Sequence, residues 1–266
     1  MLDNTAVQSD YFPPQIVRLR RTTTDLSRVL HEETNGEGRM EQPNDLADQL
    51  VLKPWGSEYL LYSGEESAIW ILSLEADAQT SMHCHRFKTT TLIVLSGKVL
   101  CSTLGKQVIR EAGQALLLEA GVFHQTRAQL TGSAVLMEIE TPPAKYDLLR
   151  IADAYGRKGL GYEGAAHHRI MSAGTTIFPT SCSQKKIHRR IGDHALDIFR
   201  PASEGRTLRL QRLSGYEMVV LLEGPDLFLE NGLPLGVGAC CRAATLRHVQ
   251  WHTESVIAVL TPSRAA

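Results

Sequence analysis

From residue 58 to residue 140 the chain alternates short apolar or β-branched runs with turn residues. The runs are 58–62, 68–74, 90–95, 98–103, 107–110, 115–118, 122–127 and 134–140, and Ser63, Gly64, Gly97, Gly105, Gly113, Gly121 and Gly132 separate most of them. Each run is long enough for one strand. Strands at such close spacing predict an all-β double-sheet barrel or jelly roll. A second series follows at 209–213, 216–222, 227–229, 243–249 and 256–260.

The period changes in two places. Residues 25–31 have the pattern of a short helix, capped by one of the threonines before it, and 147–157 carry apolar residues at helical spacing before the stop at Gly156. Residues 32–39 are polar and glycine-bearing and read as a linker. Residues 158–175 read as a connector, and its adjacent His167 and His168 are expected to face solvent. Four parts result: an arm over 1–50, a barrel over 51–141, a helical connector over 142–175 and a second β unit over 176–262. Arg18, Arg20, Arg21 and Arg28 make the arm basic. A solvated arm or a strap across a neighbouring subunit is expected there, which leaves a homodimer open.

Composition narrows the classes. With 43% hydrophobic and 21% charged residues, the 266-residue chain can build a core. Its formal net charge of -1 argues against nucleic-acid and membrane-surface partners. No apolar run approaches the ~20 residues that span a bilayer, and the N-terminus lacks the layout of a signal peptide. Five scattered cysteines without a C-x-x-C pair fit a reducing, cytoplasmic setting.

Candidate chemistry lies in the first series. Alternation along a strand sends His83 and His85 to one face and Cys84 to the other. Two imidazoles on one strand are a common start to a metal site. His124, after Gly121, is the third candidate ligand. The spacing of His83, His85, Gly97, Gly113, Gly121 and His124 resembles the two motifs of the cupin superfamily, H-x-H-x(3,4)-E-x6-G and G-x5-P-x-G-x2-H. The resemblance implies a double-stranded β-helix, here with two cupin units and short helices in the arm and connector. Two positions depart from it: Glu119 replaces the usual proline, and Thr90 replaces the glutamate ligand. In the second series Glu217 precedes Gly224 as Thr90 precedes Gly97, but Leu210 and Arg212 stand where the histidines would be. That unit is expected to hold no metal.

Residues 53–157 are further similar to the cupin domain of type II mannose-6-phosphate isomerases. Lys53-Pro54-Trp55-Gly56 with Glu58 matches its opening, and Asp147, Arg150, Asp153, Tyr155, Gly156 and Arg157 match its closing D-I-V-R-x-x-D-x-Y-G-R. Inside these edges Lys88, Thr90, Thr91 and Leu92 replace the R-x-E-H-W residues, and His83 replaces the usual glutamine.

The resemblance implies a metal-dependent cupin acting on a small molecule, a sugar phosphate or related carbohydrate. Three neutral imidazoles suit one divalent transition metal, with zinc, iron, nickel and manganese all open. Lys88 or Arg157 would hold the phosphate, and Glu138 would act as base if it faces inward. Alternation puts Ala134, Leu136 and Glu138 on one face and Val135, Met137 and Ile139 on the other. The second, more apolar face is expected to point into the barrel. An iron(II) dioxygenase and a non-catalytic carbohydrate-binding cupin are the alternative functions.

Overall fold

A computed structural model describes residues 16–34, 46–183, 186–202, 217–229, 232–246 and 249–263. The first part contains β1 (Ile16–Leu19), α1 (Thr23–Thr34), β2 (Gln49–Lys53), β3 (Gly56–Ser63), β4 (Ala68–Leu74), β5 (Met82–Cys84), β6 (Thr89–Ser96), β7 (Lys98–Thr103), β8 (Gln107–Glu111), β9 (Ala115–Leu118), β10 (His124–Ala128), β11 (Ala134–Thr141), β12 (Leu149–Ala152) and β13 (His168–Ile170). The second part contains β14 (Ile187–Ile191), β15 (His194–Phe199), β16 (Met218–Glu223), β17 (Leu227–Phe228), β18 (Pro234–Leu235), β19 (Cys240–Arg242) and β20 (Val256–Pro262).

Two sheets make the first part. One runs β1-β9-β6-β11-β4-β3-β2-β13, and the other β12-β5-β10-β7-β8. Every described strand pair is antiparallel except β1 with β9. Between the sheets lies an apolar core. Trp70 and Leu72 of β4, Val94 of β6 and Leu136 of β11 pack with Val99 of β7 and Ala128 of β10. Leu92, Cys101, Leu116 and Leu118 continue it. This is the double-stranded β-helix that the strand spacing predicts.

A third sheet, β14-β15-β20-β16-β19, covers the outside of the first. Ile69, Ile71, Ile93, Leu95, Met137 and Ile139 meet Leu196, Ile198, Met218, Val220, Ala258 and Leu260 there. Covered on both faces, β4 and β6 read as continuous apolar runs rather than alternating ones. The expected runs 209–213 and 216, with Leu210 and Arg212, lie outside the described residues. The run expected to start at 243 begins with a 3-10 turn, Ala243–Leu246.

The described residues 16–34 of the arm pack on their own chain. β1 extends the first sheet beside β9. The helix runs longer than expected, from Thr23 to Thr34, and Thr22 caps it reciprocally. The Asp25 N–H donates to Thr22 Oγ1 (3.2 Å), while the Thr22 N–H and hydroxyl donate to Asp25 Oδ2 (2.9 and 2.6 Å). Val29 of the helix packs on Cys84, Phe123 and Leu149. No helix among the described residues is long and apolar enough to cross a membrane.

The helix expected over 147–157 does not form. Residues 149–152 are β12, paired with the free edge of β5. Leu149 and Ile151 face α1, so a pattern that fits a helix also fits a strand with one covered face. The connector's helical content among the described residues is a 3-10 turn at Ala165–His167.

Candidate metal centre

Strand register assembles the histidines. His83 stands opposite His124 of β10 on one side and opposite Arg150 of β12 on the other. Residues directly opposite in a sheet share a face, so Arg150, His83 and His124 form one row on the concave side. His85 follows β5 and points to the same place. Ring centroids are 4.4 to 5.4 Å apart, and one ligand atom from each ring lies within 4.8 Å of the others. That spacing would let the three imidazoles hold one ion after small side-chain rotations.

Each imidazole is oriented by a backbone carbonyl. Nδ1–H of His83 donates to Ser81 O (2.8 Å), that of His85 to Asp147 O (2.5 Å) and that of His124 to Val122 O (3.0 Å). A carbonyl only accepts, so these bonds fix the Nδ1–H tautomer and leave Nε2 with a free lone pair. His85 Nε2 is buried without a hydrogen-bond partner. Burial, helped by Lys88 nearby, drives the pKa of His83 and His85 well below the usual value and that of His124 down to about 4. All three are therefore neutral near pH 7, the state in which imidazole binds a metal. The residues present fit a bound ion.

The Asp147 carboxylate holds the loop that carries His85. It accepts the N–H groups of Arg86 (2.8 Å), Phe87 (2.7 Å) and Lys88 (3.1 Å). Thr90, where the motif has its glutamate, is buried with an unpartnered Oγ1, directly opposite Glu140. The nearest carboxylate on the neighbouring strand is thus engaged elsewhere, with Lys88 Nζ at 2.5 Å.

Beside His83 and His85 opens a cavity bordered by Lys53, Trp55, Glu58, Glu138, Lys145, Arg150, Arg157, Tyr162 and Glu163. Its charges alternate. Lys145 contacts Glu138 (3.3 Å), Glu58 (3.4 Å) and Glu140 (3.6 Å). Lys53 contacts Glu58 (3.1 Å) and Glu163. Arg157 contacts Glu163 (2.5 Å) and Asp153 (2.7 Å). The Tyr162 hydroxyl donates to Glu58. Burial alone would raise the Glu58 pKa, but Lys145, Lys53 and Tyr162 outweigh it and hold it at about 2. The three carboxylates raise the Lys145 pKa despite its burial.

The structure places the expected site residues unevenly. His83, His85 and His124 come together. Glu138 faces the cavity rather than away from it, which corrects the expectation for β11: its more apolar face, with Met137 and Ile139, is the one that the third sheet covers. Lys88 is fully buried on Glu140, and Arg157 borders the cavity with carboxylates on both sides. Nothing in the sequence singles out Lys145, Tyr162 and Glu163. They lie in irregular segments after the barrel, where no local period marks a fold back over the site.

Fold and site together define a double-stranded β-helix barrel with a three-histidine cluster in its mouth. Neither a family model nor a curated protein matches the chain. Among solved structures, the capsular polysaccharide assembling protein CapF of Staphylococcus aureus is 13% identical over 39% of this chain and 34% of its own, with a TM-score of 0.35. A protein of Acidithiobacillus ferrooxidans put forward as a sugar phosphate isomerase is 20% identical over 29% of this chain and 50% of its own (TM-score 0.27). KdgF of Halomonas sp. is 15% identical over 38% of this chain and 92% of its own (TM-score 0.34). The chain thus spans about a third of the first protein and half of the second.

Proposed function

We propose that the protein is a metal-dependent cupin acting on a sugar phosphate, with aldose–ketose isomerisation of the mannose-6-phosphate type as its reaction. The observation that carries this reading is the set of three neutral imidazoles, each pinned at Nδ1 and turned toward one point beside an acid-and-base-lined cavity. His83, His85 and His124 would hold the ion, which supplies positive charge beside the substrate oxygens. Glu138 would take the proton from one carbon and return it to the neighbouring carbon, while a hydroxyl proton passes between the two oxygens. Lys145 contacts Glu138 at 3.3 Å and would hold its carboxyl group in place. Glu58, held at about 2, is too weak a base for that task. Residues 176–262 are read as a degenerate second unit that stabilises the first by covering its outer face. One observation favours a non-catalytic carbohydrate-binding cupin: Lys88 and Arg157, the cations expected at the phosphate, are both engaged by carboxylates.

The test is metal analysis of the purified protein, followed by an assay of mannose 6-phosphate against fructose 6-phosphate. One equivalent of metal is expected, with turnover that disappears in Glu138→Gln. A native protein that takes up no divalent metal and turns over neither sugar would defeat the reading.

A further inference from the structure

We propose that Arg150 is the anion anchor of the cavity, and that the natural ligand docks a phosphate group on its free guanidinium edge beside the three histidines. This rests on the metal-cupin reading and names the residue that the reading lacks.

The row of register places Arg150 directly across from His83 and on the same concave face. Its side chain is buried yet borders the cavity. The three other basic side chains that border the cavity, Lys53, Lys145 and Arg157, each contact at least one carboxylate. Arg150 has none within ion-pair distance among the described residues. Its Nε–H donates to Ser81 Oγ at 3.1 Å. Its Nη1 donates to the carbonyl oxygens of Arg157 (3.0 Å), Leu160 (2.9 Å) and Gly161 (3.4 Å). That collar fixes the plane of the guanidinium and uses neutral partners only. Among the described residues, the two N–H groups of Nη2 are left over.

A buried guanidinium with no carboxylate in direct contact is costly, and a planar fork held in place matches phosphate oxygens. Burial and the nearby Arg157 disfavour the charged form of Arg150, a cost that Glu163 and Asp153 offset only in part and that an oxyanion on the guanidinium would relieve further. An ion on three neutral imidazoles adds further positive charge with no counter-charge among its ligands. Both call for the same kind of ligand. Ser81 Oγ also lies 3.2 Å from His83 Nδ1, so metal content must be read separately from anion binding.

Calorimetry on the full chain, with and without one equivalent of cobalt(II), tests this using mannose 6-phosphate, inorganic phosphate and mannose as probes. Metal content is measured alongside in wild type, Arg150→Met and Arg150→Lys. Wild type is expected to bind both phosphates far more tightly than mannose. Arg150→Met should lose roughly 10–100-fold in phosphate affinity, the range for hydrogen bonds to a charged group. Arg150→Lys should recover part of it, because it keeps the charge without the fork. If Arg150→Met does not fold, the lysine variant carries the test alone. Equal phosphate affinity in all folded variants, no phosphate binding by wild type, or mannose binding as tightly as its phosphate would each overturn the anchor. A wild type that takes no metal but still loses phosphate with Arg150 would sink the metal reading and leave the anchor standing.

Discussion

At the site end of the eight-stranded sheet, the two faces of β11 and β6 are both buried and chemically opposite. Along β11, Glu138 and Glu140 face inward to a chain of ammonium groups, while Met137 and Ile139 face outward to the third sheet. On β6, Thr90 faces in and Ile93 faces out. Burial therefore does not separate site from core in this fold. What separates them is whether the covering layer is another sheet or a mouth lined with partners for charge. On the inner face Lys88 and Lys145 meet Glu138 and Glu140, so the buried carboxyl groups there have charged partners.

Substitutions on the two faces should therefore fail in different ways. The largest effect is expected from His124→Ala, which should reduce bound metal from about one equivalent to none while the far-ultraviolet circular dichroism stays that of the wild type. Elemental analysis after gel filtration reads it. Retained stoichiometry would move the centre elsewhere.

Next is Glu58→Gln, which leaves Lys53 and Lys145 with a neutral neighbour and should cost about 4 kcal/mol near pH 7 in urea unfolding. The Glu58 carboxyl sits at about 2 in the folded chain against an ordinary 4.5. Its contribution is complete above pH 4.5 and is lost as pH falls from there toward 2. The gap between wild type and variant should close over that window. A gap independent of pH would mean that the loss comes from packing and not from charge.

The smallest effect is expected from Met137→Ala, one residue from Glu138 but on the other face. It should cost about 3 kcal/mol by leaving a cavity between sheets, with a pH-independent gap and unchanged metal content. A loss of metal in this variant would erase the distinction between the faces.

Much of this was legible in the sequence. Short runs between turn residues gave most of the strands of the first part, and 68–74, 98–103 and 115–118 match to the residue. The histidines were visible because a strand's two-residue period and a motif's spacing are both local. Glu138 was misjudged because periodicity tells that a strand has two faces and not which one a distant sheet will cover. The segment 147–157 was misjudged because pairing with the edge of β5, more than sixty residues earlier, decides its conformation. Arg150 is a motif position in the sequence, yet only the register against His83 shows where it points.

The docking of the arm has a consequence for the order of events during synthesis. Asp25 Oδ1 accepts the Phe123 N–H across 98 residues of chain, and β1 lies beside β9 at a similar separation. At about 5–20 residues per second, the arm waits roughly 5–20 s on the ribosome before its partner exists. His85 waits a further interval for the carbonyl of Asp147, 62 residues beyond it. The three-histidine cluster is thus among the last features of the barrel to mature. A chain interrupted before residue 147 would carry all three histidines and still lack the bond that aims one of them.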